Sequence, residues 1–536
     1  MITIPLPATK TSDEIREDLI ACREIALLDV REETAHAEGH PLFAANLPLS
    51  RIEIEAYTRI PRRNTPIVLL DGGEGLAQRA AARLIGLGYT DVKLLEGGLQ
   101  GWRNSGGELF RDVNAPSKAF GELVQEQRKT PSLSAQAVQS LIDLKANIVI
   151  LDVRRFDEFQ TMSIPTAFSC PGAELLLRVR EIAPNRNTPV IVNCAGRTRS
   201  IIGAQSLINA GIPNPVAALR NGTIGWTLAK QALQHGQEDK FREVGEPNRA
   251  EAASAARAVA DRAGVARIDL QTVSDWIGRS DLTVYRFDVR SPEEFENGHL
   301  PGFRNAPGGQ LVQETDVYAP VRGARIVLVD DDGSRANMTA SWLAQMNWKV
   351  FVLDGVAASA LVERGPWQMP VPQLPNISED FLVSPRRLNQ LLSQEQETKT
   401  ALLDLAPSMH YAKCHIPGAW FVSRSQLDDA LKLIDPAERY VLTSPDGLLA
   451  QFAWPELSGL TTQPVFVLEG GTDAWIAAGL ASETSSSRYA SEPIDRYRRP
   501  YEGTDVEDSA MQAYLDWEYG LVEQLRRDGT HGFFVI

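Results

Sequence analysis

One phrase recurs four times along the chain: a short apolar strand pattern, ending in an aspartate in each copy. It reads Ala26-Leu27-Leu28-Asp29-Val30-Arg31, Val149-Ile150-Leu151-Asp152-Val153-Arg154, Tyr285-Arg286-Phe287-Asp288-Val289-Arg290 and Ala401-Leu402-Leu403-Asp404-Leu405-Ala406. The aspartates stand 123, 136 and 116 residues apart. That period is far longer than a solenoid repeat, so each copy is predicted to be a small domain with its own core. A turn phrase follows, clearest as Gly298-His299-Leu300-Pro301-Gly302 and Cys414-His415-Ile416-Pro417-Gly418. It is blurred as Gly39-His40-Pro41 and Ser163-Ile164-Pro165. A second strand comes next: Ile67–Leu70, Val190–Asn193, Ile326–Val329 and Tyr440–Thr443. After a turn and an Ala/Leu-rich helical stretch, a third strand closes each unit, in three copies running through glycine to Trp102, Trp226 and Trp475. Continuous apolar strands alternating with helices predict α/β units, each a small, mostly parallel sheet covered on both faces.

The units are placed at 1–112, 128–240, 262–370 and 378–482 and are called units one to four below. Residues 236–262, charged and Ala-rich, and 368–378, with its prolines, are read as linkers. A tail over 483–536 opens on the polar run 483–487. Apolar residues at Met511, Tyr514, Leu515, Leu521, Val522 and Leu525 predict an amphipathic helix over 510–525 that docks on one domain, with Gly520 a weak point.

Net charge excludes some partners. The chain carries 54 Lys+Arg against 69 Asp+Glu, a balance of −15, so its average field repels nucleic acid and anionic membranes. An anionic substrate would need a local island of positive charge. The start, Met1 to Pro7, lacks the basic and apolar regions of a signal peptide. No run approaches the ~18 apolar residues of a membrane helix. Four scattered cysteines fit a reducing cytosol, so a cytoplasmic location is expected. No metal or organic cofactor is indicated.

Taken in their fixed order, the Leu-Asp-Val-Arg phrase, the Gly-His-Ile-Pro-Gly turn, a Cys-led loop after the central strand and the closing Gly-Gly-x-x-x-Trp resemble the rhodanese (thiosulfate sulfurtransferase) family. The resemblance covers about nine-tenths of the chain as four tandem rhodanese-like domains. It implies a five-stranded parallel sheet flanked by helices in each.

In a doubly wound sheet, ligands bind at the carboxyl ends of the strands, where a loop leads into a helix N-terminus. The residue after the central strand is Asp71, Cys194, Asp330 and Ser444 in the four units. Only unit two carries a thiol there. The loop Cys194-Ala195-Gly196-Arg197-Thr198-Arg199-Ser200 offers three means of lowering the thiol pKa from its ordinary ~8.5. These are two arginines, a nest of backbone N–H groups and a helix starting near Ser200. The same features would bind an anion. Cys22, Cys170 and Cys414 are read as bystanders, with Cys22 in a helical stretch. Among the histidines, only His235 falls in unit two, at its far end. The absence of a local base favours attack on an electrophilic sulfur over an amide.

The resemblance implies a double displacement. Thiosulfate loses its outer sulfur to Cys194, sulfite departs, and cyanide or a small thiol accepts the sulfur. Arg197 and Arg199 would hold the sulfonate, and the amides of Ala195, Gly196, Thr198 and Ser200 would cradle the persulfide. The Asn221-Gly222 turn would wall the pocket. Trp226 is read chiefly as core, and Asp152 and Arg154 as a structural ion pair. Three alternatives stay open: 3-mercaptopyruvate or a protein or low-molecular-weight persulfide as donor; a largely non-catalytic scaffold that binds a protein partner through the units without a thiol; and a dual-specificity phosphatase of the same fold. The phosphatase is disfavoured because its Cys-x5-Arg spacing would require arginine at Ser200. Units one and two are expected to pair around Cys194. The carboxylates of Asp71 and Asp330 are expected to repel thiosulfate.

Overall fold

The computed structural model describes residues 7–241, 243–393, 399–484, 488–503 and 505–536. Most of the chain start and residues 485–487 of the polar run lie outside them. Unit two shows the plan. Its strands Ser132–Leu133, Val216–Leu219, Val190–Asn193, Val149–Asp152 and Ala167–Ser169 lie side by side in that order, all parallel. Val190, Ile191 and Val192 are fully buried because helices cover both faces, each burial worth ~1.5–3 kcal/mol. Units three and four repeat the order, with Arg325–Val329 and Arg439–Thr443 as central strands. Unit one repeats it around Ile67–Leu70. There, Val321–Arg322 of unit three adds an antiparallel pair to Ile25 and Ala26. No helix among the described residues is long and apolar enough to cross a membrane.

The repeated Asp-x-Arg is an internal clamp. Arg154 Nε donates to Asp152 Oδ1 at 2.9 Å and Nη2 to Oδ2 at 2.7 Å, and Arg31–Asp29 and Arg290–Asp288 match it. The arginine also reaches the turn phrase, through Gly39 O, Met162 O and Gly298 O. Unit four has Ala406 instead. Asp404 is fully buried, bonded to Ala406 N, and its Oδ2 has no hydrogen-bond partner among the described residues. Burial pushes its carboxyl from 3.8 up to about 7. A raised carboxyl favours the folded state below the unfolded value, and that stability is lost as pH climbs through about 7. Asp404→Asn keeps the acceptor and removes the charge. By this linkage it should stabilise unit four by something on the order of 4 kcal/mol at pH 8 and little at pH 4. Calorimetry at the two pH values checks this, and an equal gain at both would contradict it.

The segments between and after the units are structural. Residues 113–127, assigned to no unit, lead into and form most of the helix Ala115–Arg128, which is buried from Ala115 to Val124 and packs on the helix Thr198–Asn209 of unit two. The span read as a linker over 236–262 contains the helix Glu246–Arg262. Its buried residues Ala252, Ala256, Val259 and Ala260 form a narrow stripe of small side chains, too weak a pattern to stand out by apolar period. It packs between Leu175–Ile182 of unit two and Arg335–Gln345 of unit three. The tail forms two helices, Asp508–Tyr519 and Leu521–Asp528, broken at Gly520. It docks on more than one unit. Met511, Tyr514 and Leu515 pack on Ile224 of unit two, and Leu521, Val522 and Leu525 join a core shared with units one and three.

The turn Gly172–Glu174 of unit two faces Gly308–Gln313 of unit three, and Leu49–Arg51 of unit one faces Arg424–Gln426 of unit four. Unit two therefore opposes unit three across its strand ends, not unit one as expected. A cleft of about 790 Å³ lies between them. Unit one approaches Cys194 through the helix that follows it, Ala115–Arg128.

Candidate active site

The strand Val190–Asn193 ends at Cys194, and the helix Thr198–Asn209 begins two residues before the expected start near Ser200. The closing turn of the unit pins the loop between them. Thr223 N donates to Cys194 O at 2.9 Å and Ile224 N to Ala195 O at 3.0 Å, while Thr223 Oγ1 reaches Ala195 O at 3.1 Å. Gly222 makes this possible. It sits at φ +55°, and a Cβ there would lie 2.2 Å from Cys194 O. The second glycine of the recurring Gly-Gly or Asn-Gly pair is thus a close-approach site between turn and loop.

The equivalent loops of units one, three and four share one hydrogen bond. The amide six residues on bonds the side chain of the first loop residue: Ala77 N to Asp71 Oδ2 at 3.0 Å, Ala336 N to Asp330 Oδ2 at 2.8 Å and Ala450 N to Ser444 Oγ at 3.3 Å. In unit two, Ser200 stands at that place and pulls the Cys194 thiol down. Asp71 and Asp330 take a second amide, from Gly73 at 3.0 Å and Gly333 at 3.1 Å. These aspartates therefore fill their own anion nests. They do not merely repel an incoming anion. Unit two has a thiol in that seat.

Cys194 is 1% exposed, and burial pushes its thiol up. Arg199 and the neighbouring Ser200 pull it down, while Glu518 adds to the rise. The expected lowering is outweighed because the thiol has left water. The two arginines are also not a free positive island. Arg197 Nε and Nη2 donate to Glu122 at 2.7 and 2.8 Å, and its Nη1 donates to Tyr519 Oη at 3.0 Å and Asn221 Oδ1 at 3.1 Å. Arg199 donates twice to Glu158, at 2.8 and 2.9 Å. Each of the loop's two arginines has a carboxylate against it. Arg199 does line the cleft between units two and three, together with Arg155, Phe156 and, from unit three, Asn305 and Gln310.

Ala195, Gly196 and Ser200 are buried, and Thr198 is half-buried. Trp226 is core, its Nε1 donating to Ala232 O at 2.9 Å. Cys170 is buried with its thiol pushed up by desolvation. Cys22 lies in the turn after the helix Ser12–Ile20, with φ +50°, instead of in a helical stretch. Cys414 ends the helix Ser408–Lys413. His235 is exposed, and His40, His299 and His415 bond backbone carbonyls in their turns.

Three groups escaped the sequence reading. Glu122 comes from the unassigned helix, Tyr514, Glu518 and Tyr519 from the tail, and Glu158 from unit two itself. Glu158 had a signal. It stands six residues after Asp152, as Glu294 stands six after Asp288, and the partners Arg199 and Arg335 each stand five after the loop's first residue. The pair therefore recurs in unit three, which has no thiol, and Arg199 helps to hold the loop's shape.

The chain belongs to the rhodanese-like domain family. The family model matches residues 11–105, 134–229, 269–356 and 384–478, one match on each sheet. Over its whole length, the chain is similar to a thiosulfate sulfurtransferase from Pseudomonas aeruginosa. The two are 63% identical, with 99% of this chain and 100% of that one covered at a TM-score of 0.96. The thiosulfate sulfurtransferase GlpE of Pseudomonas fluorescens is 28% identical over 79 residues, which is 15% of this chain and 71% of that protein.

Proposed function

We propose that the protein is a thiosulfate sulfurtransferase that carries sulfur as a persulfide on Cys194. The observation that carries this reading is the seat of Cys194. Three sister loops bond their first side chain to the helix amide six residues on, Ser200 acts on the Cys194 thiol from the same place, and unit two alone puts a thiol there. The full-length relative named as a thiosulfate sulfurtransferase supports the donor. The Cys194 thiolate attacks the outer sulfur of thiosulfate, a new S–S bond forms, and the old one breaks with its electron pair leaving on sulfite. Cyanide or a small thiol then takes the terminal sulfur and returns the thiolate. Arg199, on the cleft wall, and Arg197 orient the sulfonate. Amides from Ala195 to Ser200 hold the persulfide. Persulfides and 3-mercaptopyruvate stay as rival donors, because the paired arginines add less preference for a dianion than free ones would. Units one, three and four serve as structure, with surface for a protein partner. The unpaired cysteines fit a reducing cytoplasm.

Intact-mass measurement after thiosulfate treatment tests this. Wild type should gain one sulfur, and Cys194→Ser should gain none. An unmodified wild type, with Cys194 inert to alkylation, would overturn the reading.

A further inference from the structure

The helix Asp508–Tyr519 lies over the cysteine loop. A Cβ on Gly196 would stand 3.3 Å from Tyr514 Cε1 and 3.4 Å from Glu518 Oε2. Tyr519 closes one side, its ring 4.1 Å from the Arg197 guanidinium carbon. Glu518 is 1% exposed. Its Oε1 accepts from Tyr514 Oη at 3.0 Å, and its Oε2 has no hydrogen-bond partner among the described residues. An ionised carboxylate in that position would be a buried charge with one oxygen bare, a costly arrangement. A neutral carboxyl presents the second oxygen to the loop as an O–H donor.

The surrounding charges do not change this. Glu122 and Lys118 face Glu518 from the helix Ala115–Arg128, Arg197 and Cys194 from the loop, and Tyr514 from its own helix. Arg197 is committed to Glu122, and Lys118 to Asp112 at 2.9 Å, with Arg499 and Tyr501 beyond. Burial and Glu122 together push the Glu518 carboxyl up to about 8, against Lys118, Arg197 and Tyr514.

We propose that Glu518, brought over the loop by the C-terminal helix, is the acid that protonates sulfite as it leaves Cys194. This role rests on the persulfide reading above. As the S–S bond of thiosulfate breaks, the electron pair goes to sulfite, the Glu518 proton passes to a sulfite oxygen, and hydrogen sulfite departs. Glu518 is left as carboxylate and takes a proton from water before the next donor enters. Transfer of the persulfide sulfur to cyanide releases no sulfite and does not use this proton.

The two half-reactions separate the role from a structural one. In the full chain, Glu518→Gln and Glu518→Ala should slow thiosulfate-driven sulfite release by roughly a hundredfold at neutral pH, the scale of a lost general acid. Discharge of a preloaded persulfide to cyanide should be unchanged. Because ionisation of the buried Cys194 thiol raises both rates, the signature is the ratio of wild-type to Glu518→Gln sulfite release, which should fall as pH rises through about 8. Tyr514→Phe removes a bond that favours the carboxylate, so it should move the fall to higher pH. Equal slowing of both half-reactions, or a wild-type to Glu518→Gln ratio that does not change with pH, overturns the proposal. If wild type never gains sulfur on Cys194, the persulfide reading fails instead. If both proteins load at the same rate, only the role of Glu518 fails.

Discussion

Gly222→Ala should slow persulfide formation on Cys194 by around a hundredfold while leaving the four sheets folded. The added Cβ would lie 2.2 Å from Cys194 O, 2.7 Å from Gly196 O and 2.8 Å from the Ala195 carbonyl carbon, all of them backbone atoms. No side chain can swing aside, so the loop or the turn must move by about 1 Å, a displacement that can cost around a hundredfold in rate. The φ of +55° adds to the strain on alanine. The hydrogen bonds from Thr223 and Ile224 that pin the loop would stretch together. Unit four supplies the control. Gly471 meets Ser444 O in the same way, at 2.1 Å, in a loop without a thiol. Gly471→Ala should carry a similar stability loss of ~1–3 kcal/mol and leave sulfur transfer intact. Circular dichroism and the sulfur mass gain, measured on both variants, decide the matter. A Gly222→Ala protein that loads sulfur at the wild-type rate would mean the turn does not set the loop.

The repeat made the sheets legible. Each of the four phrases ending in aspartate is a strand beside the central one, and the residue after the central strand is where the loops diverge. Cys194 could be picked out because three sister loops showed what the same position holds when no thiol is needed. The electrostatics were hidden for a physical reason. Charge read along a loop counts Arg197 and Arg199 but not carboxylates that return from distant segments, and Glu122 and Glu518 lie 75 and 321 residues from Arg197. Burial was hidden too, and it reverses the expected effect of the loop on the thiol. The linker over 236–262 misled because alanine carries a weak apolar signal, yet Ala252 and Ala256 allow close helix packing. Glu158 was within reach, since Glu294 repeats it at the same offset.

Arg335→Met should be among the most destabilising single changes in the chain, lowering the stability of units two and three by ~3–5 kcal/mol. Arg335 is 1% exposed and gathers four carboxylates. It donates to Glu174 of unit two at 2.9 Å, to Asp332 at 2.6 Å and to Asp331 at 3.0 Å, and it also binds Glu294. Methionine fills much of the volume but leaves Asp332 and Glu174 buried with less positive charge against them. Glu174 keeps Arg178, at 2.9 Å, so the loss falls mainly on unit three and on the contact between the units. That contact is close. A Cβ on Gly309 would stand 3.1 Å from Gly172 N, so the two turns cannot separate without opening the cleft that Arg199 lines. Sulfur transfer should therefore fall along with stability, although Arg335 lies in a unit with no thiol. Adding Glu174→Gln removes one stranded carboxylate and should recover part of the loss, a coupling that a double-mutant cycle measures directly. If Arg335→Met unfolds within 1 kcal/mol of wild type, the network does not hold the two units together. If stability falls but the double variant recovers nothing, the cost lies within unit three alone, and the unit two–unit three contact is not what shapes the catalytic side of the cleft.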